Sequence, residues 1–208
     1  MDRKGILVVV SGYSGVGKGT LMKALTARYG QYALSVSTTT REPREGEADG
    51  REYFFKTEEE FEEMIGQGRL IEYARYCDHY YGTPKEYVEE QLSQGRDVIL
   101  EIEQQGALKV KAQDPDVLML FVMPPDAQTL VERLRGRDTE SEEVIRQRLT
   151  QALEESKYVD RYDYMVVNAD LDQAVEEVHH LIESQHNMIN RNLDFAKQIQ
   201  TELKELAG

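Results

Sequence analysis

The run Gly12-Tyr13-Ser14-Gly15-Val16-Gly17-Lys18-Gly19-Thr20 constrains this chain more than any other stretch. It follows the short apolar segment Ile6 to Val10 and precedes residues with helical spacing, so glycines, a lysine and a helix N-terminus meet at one strand-to-helix junction. Such a junction is a phosphate-binding loop. The glycines let successive backbone N–H groups converge on phosphate oxygens, the helix N-terminus adds partial positive charge, and Lys18 supplies a full one. The candidate phosphate contacts are therefore Gly12, Ser14, Gly15, Val16, Gly17, Lys18, Gly19 and Thr20. One position departs from the usual pattern. Gly19 stands where P-loop enzymes place a magnesium-ligating Ser or Thr, and Thr20 comes one residue later. The expectation is Mg2+ held by phosphates and waters, with a carboxylate behind a water.

Three more apolar runs, Val98 to Ile102, Val117 to Val122 and Tyr164 to Val167, are each followed by helical spacing. The alternation predicts an α/β fold: a P-loop core with a mostly parallel sheet flanked by helices. The first helix is predicted to bury Leu21 and Leu25 and to stop at Gly30 in a left-handed position. Between Leu34 and Thr83 the pattern shortens to alternating segments at Leu34 to Thr40, Tyr53 to Phe55 and Leu70 to Tyr76 around one helix, which predicts a small inserted α+β lobe. That helix opens on the capping box Thr57-Glu58-Glu59-Glu60 and carries Phe61, Met64 and Ile65 on one face, so its acidic run is read as a solvated face. A second capping box, Thr83-Pro84-Lys85-Glu86, is predicted to open the next helix. The organisation expected is a core over 1–33 and 84–185 with an arginine-rich flap at about 134–141, the inserted lobe over 34–83, and a helical tail over 186–208.

Ligands of parallel sheets bind beyond the C-terminal ends of the strands. Glu101 and Glu103 interrupt an apolar run at such an end, two residues apart and hence on one side. Glu101 is the candidate for the magnesium carboxylate. The four histidines, at 79, 179, 180 and 186, show no ligand spacing and are read as structural or exposed.

Composition excludes several classes. A net charge of −14 and a pI near 4.8 disfavour nucleic-acid binding, which needs a broad basic face, although clustered arginines still permit a local positive pocket. Cys77 is the only cysteine, and Ile6 to Val10 is too short for a signal-peptide core or a membrane span, so a cytoplasmic protein is expected, with no membrane partner.

The stretch Ser35-Val36-Ser37-Thr38-Thr39-Thr40-Arg41-Glu42-Pro43-Arg44-Glu45-Gly46-Glu47-Ala48-Asp49-Gly50-Arg51-Glu52-Tyr53 closely resembles the acceptor segment of the guanylate kinase family. The likeness continues through Leu70 to Ala74, Tyr80 to Thr83, Glu101 to Ala107 and Arg137 to Glu140, from about Gly5 to Ile182 in the same order. The resemblance implies ATP and GMP, with dGMP beside it, as substrates and Mg2+ as cofactor. It implies that Arg41, Arg44, Tyr53 and Tyr81 hold the GMP phosphate, since guanidinium forks match phosphate oxygens and phenols add neutral donors. Without the family pattern, the two arginines read as surface charge. Guanine selection falls to Glu72, whose carboxylate accepts from the ring N1–H and the exocyclic amine, with the Ser37 and Thr83 hydroxyls on the remaining edge. Glu103 stands where many members have Asp, and Tyr13 where proline is common.

For the transfer step the resemblance implies Lys18, Arg41, Arg137 and Arg148. Arg148 falls inside the apolar arc Val144, Ile145, Leu149, Ala152 and Leu153 of a helix starting near Glu142, where either a triphosphate or an internal ion pair satisfies it. Asn168 is a candidate for the adenine side, with a strand-ending turn residue as the equal alternative. Lobe and flap are expected to close over both nucleotides to exclude water. Two other readings stay open: a guanylate-kinase-like module that binds proteins without catalysis, and a kinase for another phosphorylated acceptor. Monomer or homo-oligomer is undecided.

Overall fold

In the computed structural model, residues 4–44, 46–76, 78–136 and 142–208 are described. The strands are β1 (Leu7–Gly12), β2 (Tyr32–Leu34), β3 (Thr38–Thr39), β4 (Phe54–Phe55), β5 (Leu70–Tyr76), β6 (His79–Pro84), β7 (Asp97–Glu101), β8 (Leu118–Met123) and β9 (Tyr164–Val167). The helices are α1 (Lys18–Arg28), α2 (Glu58–Gly66), α3 (Lys85–Ser93), α4 (Gln104–Gln113), α5 (Ala127–Arg135), α6 (Glu142–Ser156), α7 (Leu171–His186) and α8 (Leu193–Ala207).

The main sheet is parallel throughout, in the order β2-β7-β1-β8-β9. Helices cover both faces, which is why β1 reads as an unbroken apolar run rather than an alternation. Val8 and Val10 pack with Leu21, Leu25, Val175, Val178 and Ile182 of α1 and α7, while Val9 faces Val88, Ala107 and Val110 of α3 and α4. All three valines are fully buried. Each such side chain contributes roughly 1.5–3 kcal/mol. A polar residue at Val8 or Val10 would therefore break one layer, and one at Val9 the other.

The smaller sheet runs β4-β3-β6-β5, with β3 parallel to β4 and the other pairs antiparallel. Consecutive threonines weld it. Thr38 Oγ1 donates to the Phe54 carbonyl, Thr39 Oγ1 to the Tyr80 carbonyl, and Thr40 Oγ1 accepts from the Tyr80 N–H. Helix α2 opens on the expected capping box, with Thr57 Oγ1 and Glu60 Oε2 each accepting the other residue's N–H, and it buries Phe61.

Four local expectations are corrected. Leu34 to Thr40 is not one segment: Leu34 pairs with Ile99 in the main sheet, and the chain enters the smaller sheet at Thr38. Helix α1 ends on Tyr29 in extended backbone (φ −128°), and Gly30 is not among the glycines with positive φ. Thr83 does not cap α3; Pro84 holds that position with no side-chain bond. Leu134 is a buried residue of α5 rather than part of a flap, of which residues 137–141 lie outside the described residues. In the tail, α8 forms as the spacing predicts, and every residue from Leu193 onward is exposed. No described helix is long and apolar enough to cross a membrane.

Candidate active site

Strand β1 ends at Gly12, and the loop that follows is held by the core beneath it. Gly17 caps α1 at φ 95°, a conformation that favours glycine, and a β-carbon there would stand 2.8 Å from Asn168 Nδ2. The Val16 side chain is fully buried, and its carbonyl accepts from Asn168 Nδ2 (2.9 Å) and Arg133 Nη1 (3.2 Å). Arg133 Nη2 also donates to the Asn168 carbonyl at 2.8 Å. Asn168 is thus tied through its amide nitrogen to the loop backbone, at the end of β9. Tyr13 packs edge-on against Phe121 (centroids 5.1 Å apart), and Phe121 against Tyr162 (4.9 Å), so an aromatic column supports the loop where the family often has proline. Burial pushes the Tyr162 phenol up to about 12.

Lys18 Nζ donates to the Gly12 carbonyl at 2.6 Å and to the Tyr13 carbonyl at 3.3 Å, at the rim of a cavity of about 420 Å³ between the two sheets. Glu101, at the end of β7, lines the same cavity, and a β-carbon at Gly19 would stand 3.9 Å from both its carboxylate oxygens. Burial pushes the Glu101 carboxyl up, Lys18 pulls it back, and Glu103 pushes it up again. Glu103, the residue preceding α4, also lines the cavity. Carboxylate oxygens beside a phosphate loop are the donor set a hard divalent cation takes.

The opposite wall comes from the smaller sheet. Glu72 is buried, with 6% of its surface exposed, and accepts from Thr83 Oγ1 at 2.8 Å. Its other oxygen lies against Gly106, where a β-carbon would approach to 2.7 Å. Burial raises the Glu72 carboxyl above its ordinary range, with Thr83 and Lys109 opposing. Ser37, Tyr53 and Tyr81 line the cavity beside it, the two rings edge-to-face at 6.0 Å. Thr83 thus meets Glu72 across the β5–β6 hairpin, and helix α4 closes the pocket from the main-sheet side.

The arginines divide. Arg41 lies over the rings of Tyr53 (5.3 Å) and Phe55 (5.8 Å) and is bound by Glu47, a residue to which the sequence assigns no role. The Arg44 side chain is exposed and outside the cavity lining. Arg148 Nη1 donates to Ser14 Oγ at 3.0 Å, bringing α6 onto the phosphate loop. Of the arc assigned to α6, Ile145 and Ala152 are buried and Val144 and Leu149 partly so, whereas Leu153 is 65% exposed. Arg137 lies outside the described residues. Glu155 of α6 also went unseen in the sequence: burial raises its carboxyl first and Glu103 second, and its carbonyl accepts from Gln104 Nε2 at 3.3 Å. At the far end of the main sheet, a histidine does join acids: Asp97, Glu183 and His186 bring ligand atoms within 4.8 Å of one another. There Asp97 accepts from the Ile6 N–H and pairs with His186 Nε2 at 2.9 Å.

Comparison with known proteins identifies the family. Residues 4–185 match the family described as Guanylate kinase. The chain is 51% identical over 170 residues to a guanylate kinase of Caldanaerobacter subterraneus subsp. tengcongensis, covering 82% of each chain. It is 53% identical over 169 residues to one of Streptococcus pneumoniae, covering 81% of each. A crystal structure of guanylate kinase from Anaplasma phagocytophilum superposes with a TM-score of 0.74 at 28% identity, over 91% of this chain and 90% of that one.

Proposed function

Because the chain belongs to the guanylate kinase family, we propose that it transfers the γ-phosphate of ATP to GMP, and to dGMP, giving ADP and the nucleoside diphosphate. The observation that carries the reading is one cavity lined by the phosphate-loop Lys18 on one side and the buried Glu72 on the other, with the Glu72–Thr83 bond behind it. A triphosphate on the loop and a guanine against Glu72 leave the two phosphates to meet between them.

The transfer needs little covalent help, because phosphoryl transfer is accelerated mainly by alignment and by neutralising charge on the moving group. No general base is required: the acceptor is already a phosphate oxygen, largely dianionic since its second pKa is about 6. Lys18 and Arg148 serve the donor phosphates, Arg41, Arg44, Tyr53 and Tyr81 the acceptor phosphate, and Arg137 joins from the segment after α5. The carboxylate oxygens here fit Mg2+: Glu101 would hold the ion through water, and the ion would supply charge neutralisation. Glu72 selects guanine because its carboxylate takes two adjacent donors that adenine lacks. An adenine there leaves the buried carboxylate with the Thr83 bond alone, which costs about 1–3 kcal/mol or more. Ser37, Thr83 and Glu103 flank that edge.

The test is ADP formation with ATP, Mg2+ and each of GMP, dGMP, AMP, CMP and UMP, run in parallel on Lys18→Ala. ADP with the two guanine acceptors alone, lost in the variant, is expected. Activity on another acceptor moves the assignment to a different phosphotransferase, and none at all favours the protein-binding module.

A further inference from the structure

The acidic residues of the segment 42–52 look like solvent-facing charge, yet one of them is enclosed. The Arg41–Glu47 pair, at 2.9 Å, leaves only 13% and 17% of the two side chains exposed. It is the most enclosed arginine–carboxylate pair among the described residues; Arg51–Glu52, a few positions on, leaves 62% and 36%. Arg41 Nη2 donates to both Glu47 oxygens, at 3.0 and 2.9 Å, while Nη1 donates to the Glu42 carbonyl at 2.6 Å. The same Glu47 carboxylate accepts the backbone N–H of Arg44 at 2.8 Å, and Glu47 N–H donates back to the Arg44 carbonyl at 3.0 Å. One carboxylate therefore ties together both arginines of the segment, Arg41 by its side chain and Arg44 by its backbone. The Arg44 N–H and the Arg41 guanidinium hold the Glu47 carboxyl below its ordinary range, against a smaller opposing effect of burial. Tyr53 and Phe55 wall off the guanidinium face, and the Tyr81 hydroxyl interacts with it on the cavity side.

We infer that Glu47 is a positioning residue for the acceptor phosphate: it fixes Arg41 and the Arg44 backbone as one unit, so that GMP meets cations already in place. This rests on the reading of Arg41 and Arg44 as phosphate ligands. Two physical effects compete. A fixed arginine loses less rotamer freedom when it meets the phosphate, which strengthens binding. A carboxylate close to a dianion repels it, which weakens binding. Because Glu47 engages one edge of Arg41 and leaves the cavity side to Tyr81, the ordering effect governs.

The experiment measures binding of GMP and of guanosine by calorimetry to the wild type, Glu47→Ala and Glu47→Gln, with steady-state kinetics alongside. Guanosine carries the base and no phosphate, so it reports on the fold of the acceptor wall separately. Expected for Glu47→Ala is a loss of GMP affinity of about tenfold or more, the factor that ~1.4 kcal/mol represents, with a matching rise in KM for GMP. Guanosine affinity, KM for ATP and kcat stay near wild type, and Glu47→Gln, which keeps the shape and an acceptor oxygen, loses less. Unchanged GMP binding, tighter GMP binding in either variant, or a parallel loss of guanosine would each overturn the inference. A wild type that binds GMP no better than guanosine removes the phosphate-ligand reading, and this inference with it.

Discussion

Lys18 and Glu72 line one cavity, but the two walls that present them are made differently. On the proposed donor side the backbone forms the surface, and what fixes it lies behind: the buried Val16, the carbonyl held by Asn168 and Arg133, and the aromatic column under Tyr13. On the proposed acceptor side the side chains form the surface, and neighbouring residues fix them: the Thr83 hydroxyl and the bare backbone of Gly106 for Glu72, Glu47 for Arg41. A backbone surface recognises phosphate, which every nucleotide carries. A side-chain surface can also recognise which base comes with it.

The contrast breaks first at Glu72. Glu72→Gln is expected to lower kcat/KM for GMP by roughly 10⁴-fold, because a site built around specific hydrogen bonds fails steeply when one partner is wrong. Its stability should move the other way. Burial raises this carboxyl in the folded state, so the folded protein gains from neutral Glu72 below the unfolded carboxyl pKa of about 4.3 and loses that gain as pH rises through the raised value. At neutral pH the glutamine variant escapes that loss, and thermal melts from pH 4 to 8 should show its midpoint rising relative to the wild type. GMP affinity of the wild type should fall as pH drops through the same raised value.

Lys18→Ala comes next, with kcat lower by about 10²–10³-fold and GMP binding by calorimetry unchanged, which separates the two walls in one measurement. A variant that lost GMP binding as well would show that they are not independent. Gly106→Ala pushes a methyl group against a carboxylate oxygen 2.7 Å away. It should raise KM for GMP by about 10-fold or more while leaving KM for ATP alone, since the added methyl meets Glu72 of the acceptor wall. The smallest effect belongs to Arg133→Ala, which strips a donor from the Val16 and Asn168 carbonyls. Such losses cost about 1–3 kcal/mol, read as a lower thermal midpoint and a severalfold rise in KM for ATP but not for GMP.

The same contrast explains what the sequence disclosed. The donor loop was legible because its requirements are local: glycines, a lysine, a strand before and a helix after. The main sheet was legible because strands covered on both faces, such as Val8 to Val10, read as unbroken apolar runs. The acceptor wall was legible only through family resemblance, since its pairings join residues far apart or disguised. Thr83-Pro84-Lys85-Glu86 has every residue a capping box needs, yet the Thr83 hydroxyl crosses the hairpin to Glu72. Glu47 sits among acids that resemble a solvated surface, and no periodicity marks the one that turns inward. Leu34 to Thr40 keeps its alternation while passing between sheets, because a period of two carries no information about which partner a strand will choose. Leu153 lies at the edge of the helical arc of α6 and stays exposed although Ala152 and Glu155 on either side of it are buried.

Burial stops where kinship stops. Gln185 is the last buried residue, the family match ends at 185, and α8 exposes every one of its residues. The helix is about 22 Å long at 1.5 Å per residue, and helices of that length are marginal in water unless something supports them. Helix α8 is therefore a replaceable appendage, and a tag or tether grafted after Asn192 keeps the bonds that Arg191 and Asn192 make to the Asp116 and His186 carbonyls.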